Sequence, residues 1–129
     1  MVLLFSLEDT IKKNALITPW SVVHLLTGYL FSLYGINVLN ISFNSAFWIG
    51  LLLHTLYEIK DLSCYFLNCS EENTWHNNSF INSIKDTIFF IIGFYLIKII
   101  NIRSGSYIIG LTLLYLIIII MFIFYTLEF

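Results

Sequence analysis

Four stretches of this 129-residue chain, about residues 19–35, 45–62, 80–102 and 107–126, are so rich in Leu, Ile, Phe and Tyr that each reads as a passage through lipid. A spanning helix needs about 20 predominantly apolar residues, and each stretch is close to that length. Inside a bilayer every backbone polar group has to be satisfied within the protein, so such a stretch is a helix. The predicted fold class is therefore all-α: a multi-pass transmembrane helical bundle of about four spans, one membrane domain over residues 1–129. Composition agrees, with 59% hydrophobic and 11% charged residues and a mean hydropathy of +0.88. Soluble domains average about 45–50% and about 25%.

These numbers predict an integral membrane protein with membrane lipid as its surroundings and partner. A formal net charge of -2, without a Lys/Arg run, excludes a nucleic-acid footprint. Residues 1–15 begin apolar, but Glu8, Asp9, Lys12 and Lys13 come too soon for a span, so a short interfacial helix is expected there. No basic region or small-residue cleavage site marks a signal peptide. Lys12, Lys13, Lys60 and Lys85 fall on one side of a four-span arrangement and Lys98 and Arg103 on the other, which favours a cytoplasmic N-terminus.

Thr18-Pro19 is a good helix start, because proline at the first helical position loses no hydrogen bond. In the first span Ser21, His24, Thr27, Gly28 and Ser32 repeat at three and four and form one stripe. A short turn follows, with Asn44 or Ser45 as the expected cap of the second span. That span carries Ala46, Gly50, His54 and Glu58 on one i+4 line, with Asp61 closing the same face. Residues 63–79 form the one long polar connection, with Cys64, Cys69, Glu71, Glu72, Trp75 and His76. The two cysteines lack CxxC spacing and read as free thiols. In the third span Ser79, Asn82, Ser83, Asp86 and Gly93 fall close to one face. The fourth, beyond Arg103–Ser106, is apolar on nearly all sides and suits lipid contact.

An ionisable side chain at membrane depth costs about 2.5–3.5 kcal/mol, so His24, Glu58 and Asp86 are expected to face protein and one another. Consecutive spans reverse direction, which puts the start of the first, the end of the second and the start of the third on one membrane side. Each of the three residues lies about five positions inside its span, about 7–8 Å deep at 1.5 Å per residue. The predicted site is therefore His24, Glu58 and Asp86 with Asn82 and Ser83, supported by His54, Ser21, Asp61 and Tyr57.

Two functional readings follow. The first is an enzyme or binding site for a lipid-like molecule, with His24 as general base or metal ligand and the carboxylates as acid/base groups or ligands. A divalent metal is then a candidate cofactor, held by His24, Glu58 and Asp86, although no HExxH element is present. The second is a non-enzymatic protein whose cluster fixes helix packing or moves an ion or proton. The apolar far halves of spans two and three oppose a continuous pore within one subunit, so conduction would need an oligomer.

Tyr57-Glu58-Ile59, followed by Asn78-Ser-Phe-Ile-Asn-Ser-Ile-Lys-Asp86 and then Gly93, resembles the small bacterial membrane proteins of the DUF2585 (UPF0314) group. Those proteins carry Trp-Glu-Ile, a segment like Asp-Ser-x-x-Asn-Ser-x-x-Asp, and a glycine in the helix after it. A histidine with a glycine four residues on, in their first span, matches His24 and Gly28. A more distant similarity is to VanZ-like proteins, with His, Glu and an Asp/Asn element on successive spans. The likeness runs in patches from Trp20 to Leu96. Thr27 stands where the group has a second histidine, and Tyr57 where it has tryptophan. The resemblance implies a shared fold and a shared polar site.

Overall fold

The computed structural model describes residues 3–5, 15–17, 19–67 and 80–127. Helix α1 spans Pro19–Leu33. It continues into a π-type turn at Tyr34–Val38, where the Leu39 amide donates to the Tyr34 carbonyl at 2.9 Å. Asn40 then turns the chain at a φ of 54°, a left-handed conformation that asparagine tolerates better than most residues. The cap of the next helix is Ser42, earlier than Asn44 or Ser45: its hydroxyl accepts the Ser45 amide at 3.2 Å and its carbonyl accepts the Ala46 amide at 2.9 Å.

Helix α2 spans Phe43–Leu67, five residues beyond the predicted end at Leu62. Nothing in Ser63 to Leu67 breaks a helix, since glycine and proline are absent, and the polar run begins only at Asn68. The first part of the predicted 63–79 loop, with Cys64, is therefore helical, and 68–79 lies outside the described residues. Helix α3 spans Phe80–Tyr95 and tightens into a 3-10 turn at Leu96–Lys98, so it ends short of the predicted residue 102. Helix α4 spans Gly105–Leu127. Among the described residues these are the four α-helices. Two of the helical stretches, Pro19–Val38 and Gly105–Phe124, are long and apolar enough to cross a membrane.

The N-terminal expectation is corrected. Of the stretch 1–15 expected as an interfacial helix, Leu3–Phe5 is instead strand β1, pairing in parallel with strand β2 (Ala15–Ile17), Leu3 opposite Ala15 and Phe5 opposite Ile17, and 6–14 lie outside the described residues. Apolar runs of three residues carry no usable periodicity, so local pattern does not separate helix from strand here.

Helices α1 and α3 run side by side in the same direction and approach more closely than side chains normally allow. A Cβ placed on Gly28 would run into the Phe90 carbonyl oxygen and lie 2.8 Å from the Phe94 amide nitrogen; one on Gly93 would run into the backbone of Leu25. The two glycines thus let backbone meet backbone, as in small-residue packing of membrane helices. Below this contact lies the apolar core, one cluster of Tyr29, Leu33, Ile97 and Ile108 and another of Ala46, Phe90 and Phe94. Above it lie the polar side chains.

Tyr29 pins the far end. Its hydroxyl donates to the Ile100 carbonyl at 2.7 Å and lies 3.1 Å from the Tyr107 hydroxyl, tying α1 to the α3–α4 connection. Tyr29→Phe keeps the ring and removes both contacts. The expected result is a stability loss of about 1 kcal/mol in detergent unfolding measurements, with the helical circular-dichroism signal unchanged.

Candidate functional site

His24, one turn before Gly28, sits where α1 is held against α3, so the glycine contact sets its position as well as the helix spacing. From α3 it meets Asp86, whose Oδ2 lies 3.4 Å from His24 Nε2. From α2 it meets His54, whose Nε2 lies 3.1 Å from His24 Nδ1, and Glu58, whose Oε1 lies 3.9 Å from the same nitrogen. His54 and Glu58 are one helical turn apart and 3.6 Å apart between Nε2 and Oε1. His54, Glu58 and Asp86 are all buried. Three helices therefore bring their ionisable groups to one point, the convergence that the matching depths predict.

The arrangement differs in detail from the expected one. His54 is a central member, its Nε2 3.1 Å from His24 Nδ1, and the trio His24, His54 and Glu58 gathers its donor atoms within 4.8 Å. Asp86 approaches His24 from the opposite ring nitrogen. Ser21 and Ser83 are buried in the adjoining turns of α1 and α3. Tyr57, half exposed, lies outside the cluster at the edge of a neighbouring cavity, with the Lys60 ammonium 4.6 Å from its ring centre. The side chains of Asp61 and Asn82 lie outside the described residues.

Three contributors were not singled out from sequence. Thr87 donates to the Ser83 carbonyl at 2.8 Å and presents its oxygen 3.5 Å from His54 Nδ1. Its position four residues after Ser83 and next to Asp86 was the available signal. Phe90 lies against the His54 ring, 4.6 Å between centres, and fixes its plane. Tyr115 of α4 shares a 2.6 Å hydrogen bond with Thr27, whose own hydroxyl also lies 2.7 Å from the Val23 carbonyl. Nothing in the isoleucine-rich α4 sequence marks Tyr115 as polar-facing.

Beside the cluster is a cavity of about 460 Å³, walled by Trp20, Phe31, Leu53, Phe90 and Ile119 and bordered by both histidines. Its volume falls within the roughly 300–1,000 Å³ of small-molecule sites. A mostly apolar chamber with two imidazoles in its wall suits a molecule with an apolar body and a polar group. Compared with known protein families, curated proteins and solved structures, the chain matches none.

Proposed function

We propose that this chain is a four-span integral membrane protein, its N-terminus cytoplasmic, that binds a lipid-like amphiphile with the polar end at His24, His54 and Glu58 and the apolar part in the adjoining cavity. The single observation that carries this reading is the juxtaposition of a buried three-helix ionisable cluster with an apolar chamber of about 460 Å³. The inside-out character of α2 supports the membrane setting: Trp48, Ile49, Leu52, Leu53 and Leu56 are exposed, while His54 and Glu58 are buried. In water that pattern is costly, and in lipid it is the expected one. On α4 the exposed side is likewise apolar, including Leu113, Ile117, Ile120 and Phe124. Kinship with the DUF2585 group is part of the same reading, since His24, Glu58 and Asp86 are among the positions that carry the likeness.

Leu53 lines the chamber and is half exposed, so a larger side chain there can block it without entering the core. Lipid retained by the protein after transfer into nanodiscs of one synthetic phospholipid, identified by mass spectrometry, is expected to fall at least tenfold in Leu53→Trp. The helical signal should stay unchanged. Equal retention by the two proteins overturns the reading.

A further inference from the structure

The two histidines are held from behind, and the holding groups favour tautomers whose inward nitrogens are acceptors. Thr87 spends its proton on the Ser83 carbonyl at 2.8 Å, so toward His54 Nδ1, 3.5 Å away, it offers an oxygen that accepts. His54 Nδ1 is then the protonated nitrogen, and Nε2 carries the lone pair. The Asp86 carboxylate, 3.4 Å from His24 Nε2, imposes the same logic there: Nε2 carries the proton and Nδ1 the lone pair. The two lone-pair nitrogens thus face each other at 3.1 Å, with Glu58 Oε1 3.9 Å and 3.6 Å from them. At 3.1 Å the two nitrogens either share a proton in an N–H···N hydrogen bond or, together with Glu58 Oε1, surround a cation.

The same three atoms define a point about 2.1 Å from each, which matches zinc–nitrogen distances of about 2.0–2.1 Å and zinc–oxygen distances of about 2.0–2.2 Å. Donors about 2.1 Å from an ion lie about 3.0 Å apart on an octahedral face and about 3.4 Å apart in a tetrahedron. Separations of 3.1, 3.6 and 3.9 Å average about 3.5 Å, much nearer the tetrahedral spacing than the octahedral one. Two histidines and one glutamate, with a fourth position left open, form the ligand set of a catalytic rather than a structural zinc site. A carboxylate acceptor on the outer nitrogen, as Asp86 offers His24, is a usual support of such a ligand.

We propose that His24 Nδ1, His54 Nε2 and Glu58 Oε1 bind a zinc ion, with Asp86 and Thr87 orienting the two imidazoles. The site does not depend on what occupies the cavity. Chelator-treated protein in nanodiscs, titrated with ZnSO4, is expected to take up one zinc per chain by elemental mass spectrometry and to gain thermal stability as it does so. His54→Ala and Glu58→Gln should abolish uptake, whereas Asp86→Asn should keep the stoichiometry and weaken affinity 10- to 100-fold. Cobalt in place of zinc should give the intense visible absorption of tetrahedral coordination. Leu53→Trp should bind zinc like the parent, which separates this site from the lipid reading. Folded parent protein that takes up no zinc, or zinc retained by both His54→Ala and Glu58→Gln, overturns the proposal. Preferential uptake of Fe2+ or Mn2+ overturns its tetrahedral assignment.

Discussion

Valine at position 28 or 93 is expected to leave little or no folded protein in detergent, the largest effect of any single conservative change in the bundle. At Gly28 the added carbon meets the Phe90 carbonyl and the Phe94 amide, and at Gly93 it meets the Leu25 carbonyl. All three are main-chain atoms of a facing helix, so no rotamer change relieves the overlap and the helices have to move apart. Ordinary overpacking costs about 1–3 kcal/mol because neighbouring side chains adjust; here the cost should exceed that range. The contrast within the same chain is sharp. Gly50 faces the Phe31 ring at 2.9 Å, a side chain able to shift, so Gly50→Ala should cost less than Gly28→Ala. Gly105 and Gly110 have nothing within 4 Å, and alanine at Gly110, inside α4, should be neutral or slightly stabilising through helix propensity. Unfolding of the five variants, followed by tryptophan fluorescence and size-exclusion recovery, checks the order. Folded Gly93→Val of parental stability would show that α1 and α3 do not meet as described.

That seam also explains which parts of the architecture could be read in advance. Helix positions follow from apolar length and from proline and glycine punctuation, so α1, α2 and α4 begin within about two residues of expectation and α3 at the expected Phe80. The convergence of His24, Glu58 and Asp86 was legible because reversal of direction and equal depth are properties of any serial bundle. What did not follow was the ring-by-ring geometry. Periodicity put His54 and Glu58 on one face, but only the crossing of α1 over α2 brings His54 Nε2 to 3.1 Å from His24 and sends Asp86 to the opposite nitrogen. The pairing of Leu3–Phe5 with Ala15–Ile17 is a tertiary choice between two short apolar runs and leaves no mark in local pattern.

His24→Leu is the second large change, and its signature is a partial rescue. His24 touches His54, Glu58 and Asp86, so an isosteric apolar residue leaves two buried carboxylates without the imidazole between them. Removing one partner of a buried hydrogen-bonding group typically costs about 1–3 kcal/mol, and more when the group left behind is charged. That origin makes a prediction a simple loss of packing would not. Adding Asp86→Leu to His24→Leu should recover at least about 1 kcal/mol, because the second change removes a buried carboxylate that has lost the imidazole at 3.4 Å and keeps the more distant Lys85 ammonium at 3.9 Å. Asp86→Leu alone should destabilise, since it strips His24 Nε2 of its acceptor at 3.4 Å. The cycle is read from unfolding free energies of the four proteins in one detergent. A coupling within about 0.3 kcal/mol of zero would mean that the His24–Asp86 approach carries no energy. A coupling of 1 kcal/mol or more makes His24 a group on which the buried carboxylate of α3 depends.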